Sequence, residues 1–288
     1  ICALECCTST GRVGASGAVL PPSLAGSHVF ARKNSGHLVG RVPAWPAFAQ
    51  GQGGRGGRGG PPRPAQEAAP WDITGYWVSF VTEDWRFRIM LAPKGDFSGV
   101  PLNQEGTRVG NTWDPAKDDA DGNQCKAFGA AALMRMPSRF HITWQDAETL
   151  KIESDAGTQT RLLHFTGSNP GGAASWQGYS SAAWERQLNR SRGGQGQPGA
   201  GDSTGGTLHV QTSNLKAGYL RRNGAPYSDK ATVNEYFDLL READGSQWLI
   251  VKTIVTDPTY LNEPFITSSN LRKQADNKGW NPTPCTSK

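Results

Sequence analysis

No run of this sequence approaches the ~18 consecutive apolar residues that a membrane-spanning helix needs, so a helical span is not expected. His-Glu-x-x-His and the phosphate loop Gly-x-x-x-x-Gly-Lys-Ser/Thr are both missing, which removes the common zinc-protease and nucleotide signatures. Nothing in the chain calls for a cofactor or a metal. Cys6-Cys7 cannot make a tetrahedral zinc site without further ligands nearby and is given no function. The acidic run Asp118-Asp119-Ala120-Asp121-Gly122 fails as a calcium loop. With Gly122 at the sixth position, Lys117 and Phe128 stand first and twelfth, where carboxylates are required. A solvated acidic loop is the expectation there.

Net charge is also missing where a nucleic-acid binder would need it. Residues 1–69 hold seven basic and two acidic residues, which accounts for the whole formal charge of +5; the remaining 23 basic and 23 acidic residues cancel. A neutral body offers no electrostatic footprint for a phosphate backbone. Two Arg-Gly-Gly units between Gly51 and Gly60 resemble an RNA-binding segment, but with no aromatic interleaved they read as a flexible cationic linker. Nucleic acid is therefore not an expected partner.

The first 69 residues cannot build a core, because GQGGRGGRGGPPRP ends a stretch with little periodic apolar sequence. They read as a disordered tail, with the folded domain at 70–288. Ala47-x-Ala49 before Gln50 has the small residues of a signal-peptide cleavage site, or is a chance match in a disordered tail. The sequence upstream has no apolar h-region, and ICALECCTST opens without Met. The expectation is a signal remnant joined to a truncated or misframed 5′ end.

What is present is alternation. Phe140 to Phe165 contains three short apolar/polar runs separated by two turn signals, which predicts an antiparallel meander. Tyr76 to Thr82 and Trp85 to Leu91 alternate in the same way and are expected as strands, as are Thr207 to Thr212, Ala231 to Leu240, Gln247 to Thr256 and Pro264 to Leu271. Asp114-Pro115 signals a helix start, and Lys126 to Met136 reads as a short helix ended by Pro137. Residues 99–110 are loop-like, and 189–206 form a Gly-rich insertion expected to be an exposed loop. The fold class is mostly β: one antiparallel barrel or strongly curved sheet with one or two short helices. One run refuses to sort. In Thr158 to Phe165, Arg161 and His164 lie on opposite faces, so either inward face carries a polar group that requires a partner, Glu153 or Asp155 being nearest in sequence.

From about Arg139 onward, ordered segments resemble a broad family of secreted bacterial proteins of unassigned activity. They are Arg161-Leu162-Leu163, Trp184-Glu185, Gly206-Thr207-Leu208-His209-Val210-Gln211-Thr212, Glu235-Tyr236-Phe237, Asp257-Pro258 and Glu263-Pro264-Phe265. Tyr236 stands where that family has Arg, and the Gly-rich insertion splits its Trp-Glu-Gly unit. The resemblance, with Gly75-x-Trp77 opening the first strand, implies a lipocalin-like barrel and an exported, periplasmic or extracellular location. In an exported protein Cys125 and Cys285 either pair as a disulfide or remain two free thiols.

Three functions follow. A Trp-rich barrel can bind a small apolar or amphiphilic molecule, with Arg161, Trp77, Trp144, Trp176 and Tyr179 as candidate contacts. Alternatively, His141 and His164 with Glu153 and Asp155 form the minimum for a hydrolase or isomerase. The third reading is a structural or interaction protein.

Overall fold

The structure is a computed structural model that describes residues 63–169, 171–186 and 206–287. The signal remnant, the Arg-Gly-Gly units, Cys2, Cys6 and Cys7, and the Gly-rich stretch up to residue 205 lie outside the described residues.

The alternating runs become β1 (Gly75–Phe80), β2 (Arg139–Asp146), β3 (Thr149–Ser154), β4 (Gln159–His164), β5 (Tyr179–Arg186), β6 (Gly206–Ser213), β7 (Thr232–Arg241), β8 (Gln247–Thr256) and β9 (Phe265–Gln274). They form a closed barrel in which every neighbour in space is a neighbour in sequence, with β9 closing on β1. This up-and-down order explains the one departure from the expected antiparallel sheet. Strands that alternate in direction close antiparallel only if their number is even; nine strands force one parallel pair. That pair is β4–β5, with Leu163 beside Ser180 and His164 beside Ser181. The connection from 165 to 178 is long enough to return the chain to the same end of the barrel.

The second expected strand does not form. Asp84 sits in the left-handed region (φ 52), and Trp85–Arg88 is a helical turn, α2, the second after α1 (Ala65–Ala68). The register of β1 against β9 ends at Phe80 and Asn270, and residues 85–91 join no strand of the barrel. Alternation identifies a pleated surface only where a neighbouring strand exists to pair with. The long β1–β2 connection carries three more helices: α3 (Gln104–Gly110), α4 (Pro115–Ala120) and α5 (Ala130–Leu133). The stretch expected as loop at 99–110 is thus partly helical, capped by Asn103, whose side chain accepts from the Gly106 amide. Asp114 caps α4 as expected, with Pro115 as the first helical residue. The single helix expected over 126–136 is split into a 3₁₀ turn (Gln124–Phe128) and α5 by Gly129, whose backbone is extended. Gly129 is required for space: a Cβ there would stand 2.5 Å from the Tyr227 hydroxyl.

Inward residues fill the barrel, with Trp77, Phe140, Phe237 and Leu271 fully buried. The base is closed by aromatics: Trp71 packs edge-on to Trp184, and the Trp77 indole donates to the Ile73 carbonyl. Residues 63–69, grouped with the tail on composition, pack here, where the Trp184 indole donates to the Ala65 carbonyl. The other end is covered by the β1–β2 and β6–β7 connections. Residues 130–134 plug it: Leu133 and Met134 join the barrel core, while Ala130 and Ala131 join the cap's own apolar cluster. A disulfide between Cys125 and Cys285 ties the C-terminal segment to the cap.

Candidate functional site

The structure resolves the conflict in β4 by turning Arg161 inward. Its guanidinium is fully buried, pairs with Glu235 on β7, donates to Thr212 Oγ1 at 2.7 Å and to Ser180 Oγ at 3.1 Å. The partner is therefore neither Glu153 nor Asp155, the neighbours in sequence, but a residue 74 positions away. Arg161, Thr212 and Glu235, far apart in sequence, meet inside the barrel as a buried polar network. Glu235 Oε1, Arg161 Nη1, Thr253 Oγ1 and Ser269 Oγ have no partner among the described residues, which extends this polar layer across β7, β8 and β9.

The catalytic candidates are not brought together. His141 and Glu153 face each other across β2 and β3 on the outer wall at 3.4 Å, with His141 stacked on Tyr76 at 4.1 Å. His164 lies elsewhere on the outside, stacked on Tyr179 at 4.9 Å. Asp155 is buried and brackets a turn, accepting from Ser138 Oγ and from the Arg139 and Ala156 amides. Such a carboxylate is a structural brace rather than a free base. The aromatic candidates also separate. Trp77 is core, Trp144 packs against Phe165 at the base, and Trp176 sits in a loop under the Lys216 ammonium. The acidic run at 118–122 is not wholly solvated either, because Asp118 is buried and receives Lys126 Nζ and Tyr219 Oη, both at 2.7 Å.

The concave features lie on the cap. One cleft is walled by four arginines drawn from three segments: Arg88 of α2, Arg135 after α5, and Arg221 and Arg222 before the Asn223-Gly224 turn. Arg88, Arg135 and Arg221 are almost fully buried. Two carboxylates answer them. Glu83 pairs with Arg88, and Asp84 takes Arg135 at 2.9 Å and Arg221 at 4.0 Å. Arg221 also donates to the Ser98 carbonyl at 2.6 Å and lies 3.9 Å over the Phe87 ring. Arg222 has no ion pair or hydrogen-bond partner among the described residues, and burial alone draws its guanidinium below the usual range. Burial is also the main cause that lowers Arg135 to about 10, with Arg221 and Arg88 adding to it against the opposing pull of Asp84.

Met136, Pro137 and Arg222 form a wall shared with a neighbouring apolar groove of about 350 Å³, which Ile89 and Phe128 also line. No protein-family model, no curated protein and no solved structure matches this chain. A second cavity of about 330 Å³ opens between α4 and the 217–227 loop, lined by Trp113, Tyr219, Tyr227 and Tyr260 with Asp114 and Lys117.

The alternation of Trp85 to Leu91 puts Arg86 and Arg88 opposite the apolar face of an expected strand, and no local pattern singles out Arg135, Arg221 or Arg222, beyond the place of Arg221-Arg222 beside a strong turn. Convergence of residues 47 and more positions apart is a tertiary property that no spacing reports.

Proposed function

We propose that this chain is an exported, lipocalin-like barrel protein that binds a small amphiphilic molecule, and that it does so on the cap rather than inside the barrel. The observation that carries this reading is the apolar groove beside the unpaired Arg222, set against a barrel interior filled by side chains. Exposed Ile89, Met90 and Leu91 extend the apolar surface next to the groove, where an aliphatic tail would gain by leaving water. The Cys125–Cys285 disulfide supports an oxidising compartment.

Binding of an environment-sensitive apolar fluorophore, displaced by a medium-chain fatty acid, tests the proposal. Ile89→Asp, a change at a half-exposed position that the fold can absorb, is expected to weaken binding about tenfold. Failure of both fluorophore and fatty acid to bind, or binding indifferent to Ile89→Asp, removes it.

A further inference from the structure

The arginine cluster carries more charge than its neighbours neutralise. Arg88, Arg135, Arg221 and Arg222 face Glu83 and Asp84, both partly exposed, and Asp96, which also acts on Arg221, is itself paired at 2.6 Å with a fifth cation, Arg86, outside the cleft. Burying cations beside one another is unfavourable unless an anion compensates them. Several donors are left open as well. Among the described residues Arg221 Nε is buried without a partner, and Arg135 uses only Nη2 in its pair with Asp84. Between these side chains lies a cavity of about 20 Å³, room for a single water-sized atom or group.

We propose that this cleft is an oxyanion receptor. One oxygen of a carboxylate or phosphate enters the cavity among Arg88, Arg135 and Arg221, and Arg222 supplies its free guanidinium from the shared wall. Planar guanidinium forks suit both head groups, because they give paired, charge-assisted hydrogen bonds in fixed geometry. The site is specific for an oxyanion rather than for any anion: a halide offers one centre, whereas the donors here surround a small cavity and continue along its rim. The inference deepens the reading above by naming the head group of the amphiphile, and it rests on that reading only for the tail.

Thermal unfolding in inorganic phosphate and in acetate, against chloride at matched ionic strength, tests the receptor directly. The informative variant is Arg222→Ala, because Arg222 has no described partner whose loss would unfold the protein. Wild type should show a saturable rise in melting temperature. Arg222→Ala should shift its midpoint about tenfold or more to higher concentration, and Arg222→Lys should recover part of the loss through its charge alone. Phosphate also stabilises proteins by exclusion from their surfaces, so an equal rise in wild type and Arg222→Ala overturns the proposal, as does no rise at all.

Dodecyl phosphate then separates the two claims. A tighter affinity than that of inorganic phosphate, with the gain lost in Ile89→Asp, supports head and tail together. Arg222-dependent binding of phosphate that the alkyl chain does not improve supports the receptor for a free oxyanion and removes the amphiphile. Fluorophore binding without any Arg222-dependent phosphate effect does the reverse.

Discussion

Arg161 and Glu235 are ion-paired where water does not reach, so their contribution depends on both being present. Removing one leaves an uncompensated buried charge, whereas replacing both with apolar residues of similar size removes the desolvation cost along with the attraction. Glu235→Leu is therefore expected to cost about 3–5 kcal/mol in urea unfolding, and the double variant Arg161→Met/Glu235→Leu should recover most of it. Equal losses in the single and double variants would contradict this account. Thr253 argues in the other direction. Its hydroxyl is buried without a partner among the described residues, so Thr253→Val gives up no bond and should leave the melting temperature unchanged or raise it. The pH dependence of Arg135 has a defined sign. Its folded value of about 10 lies below the ordinary guanidinium range, so between the two the unfolded chain holds more protons and this group makes stability rise with pH. Phosphate-dependent stabilisation should accordingly shrink as pH is raised through about 10, which paired melting curves with and without phosphate measure.

The elements differ in how well their residues foretell them. The meander β2–β3–β4 pairs in the expected order, with Ile142 opposite Ile152 and Leu150 opposite Leu163, because alternating faces and tight turns are local properties. Residues 85–91 alternate as well but stay out of the sheet, where Asp84 takes a left-handed conformation and Trp85–Arg88 coils into a helical turn. Close packing between elements sets a further constraint at Gly157. Its φ is +76, and a Cβ there would lie 2.3 Å from the Phe128 ring. Gly157→Ala combines left-handed strain with overpacking and should destabilise the protein by about 2 kcal/mol or more, seen as an earlier unfolding midpoint in urea. The disulfide acts at the same place in the fold. It closes a loop of 160 residues, for which the chain-entropy argument gives about 5 kcal/mol. Cys125→Ser/Cys285→Ser should lower stability by a large part of that amount, and reductant should affect the wild type alone.

At the scale of the whole molecule, the mostly β class was legible in the alternating runs, because a pleated strand repeats every two residues whatever surrounds it, whereas closure of the sheet into a barrel, against a strongly curved open sheet, was not. The position of charge was legible too: subtraction of the tail leaves a neutral body. Among the described residues no helix is long and apolar enough to cross a membrane, as the lack of long apolar runs implies. The parallel β4–β5 pair was not legible, since it follows from the count of strands that close the barrel and not from any one of them. The candidate site was less legible still. Reasoning from neighbours in sequence pointed to His141, His164, Glu153 and Asp155, which tertiary structure distributes over the outer wall and a turn. It was the plug at residues 130–134, filling the mouth of the barrel, that moved the open concave surface to the cap. The sequence by itself determined strand periodicity, helix caps, the core composition and the charge balance, all of which depend on residues within a few positions of one another. Only the tertiary structure decided that Arg161 would be buried against Glu235, and that Arg88, Arg135, Arg221 and Arg222 would share one cleft. The physical reason is that burial and electrostatic pairing depend on distances in space, which the chain sets only by closing its barrel and folding two long connections over one end.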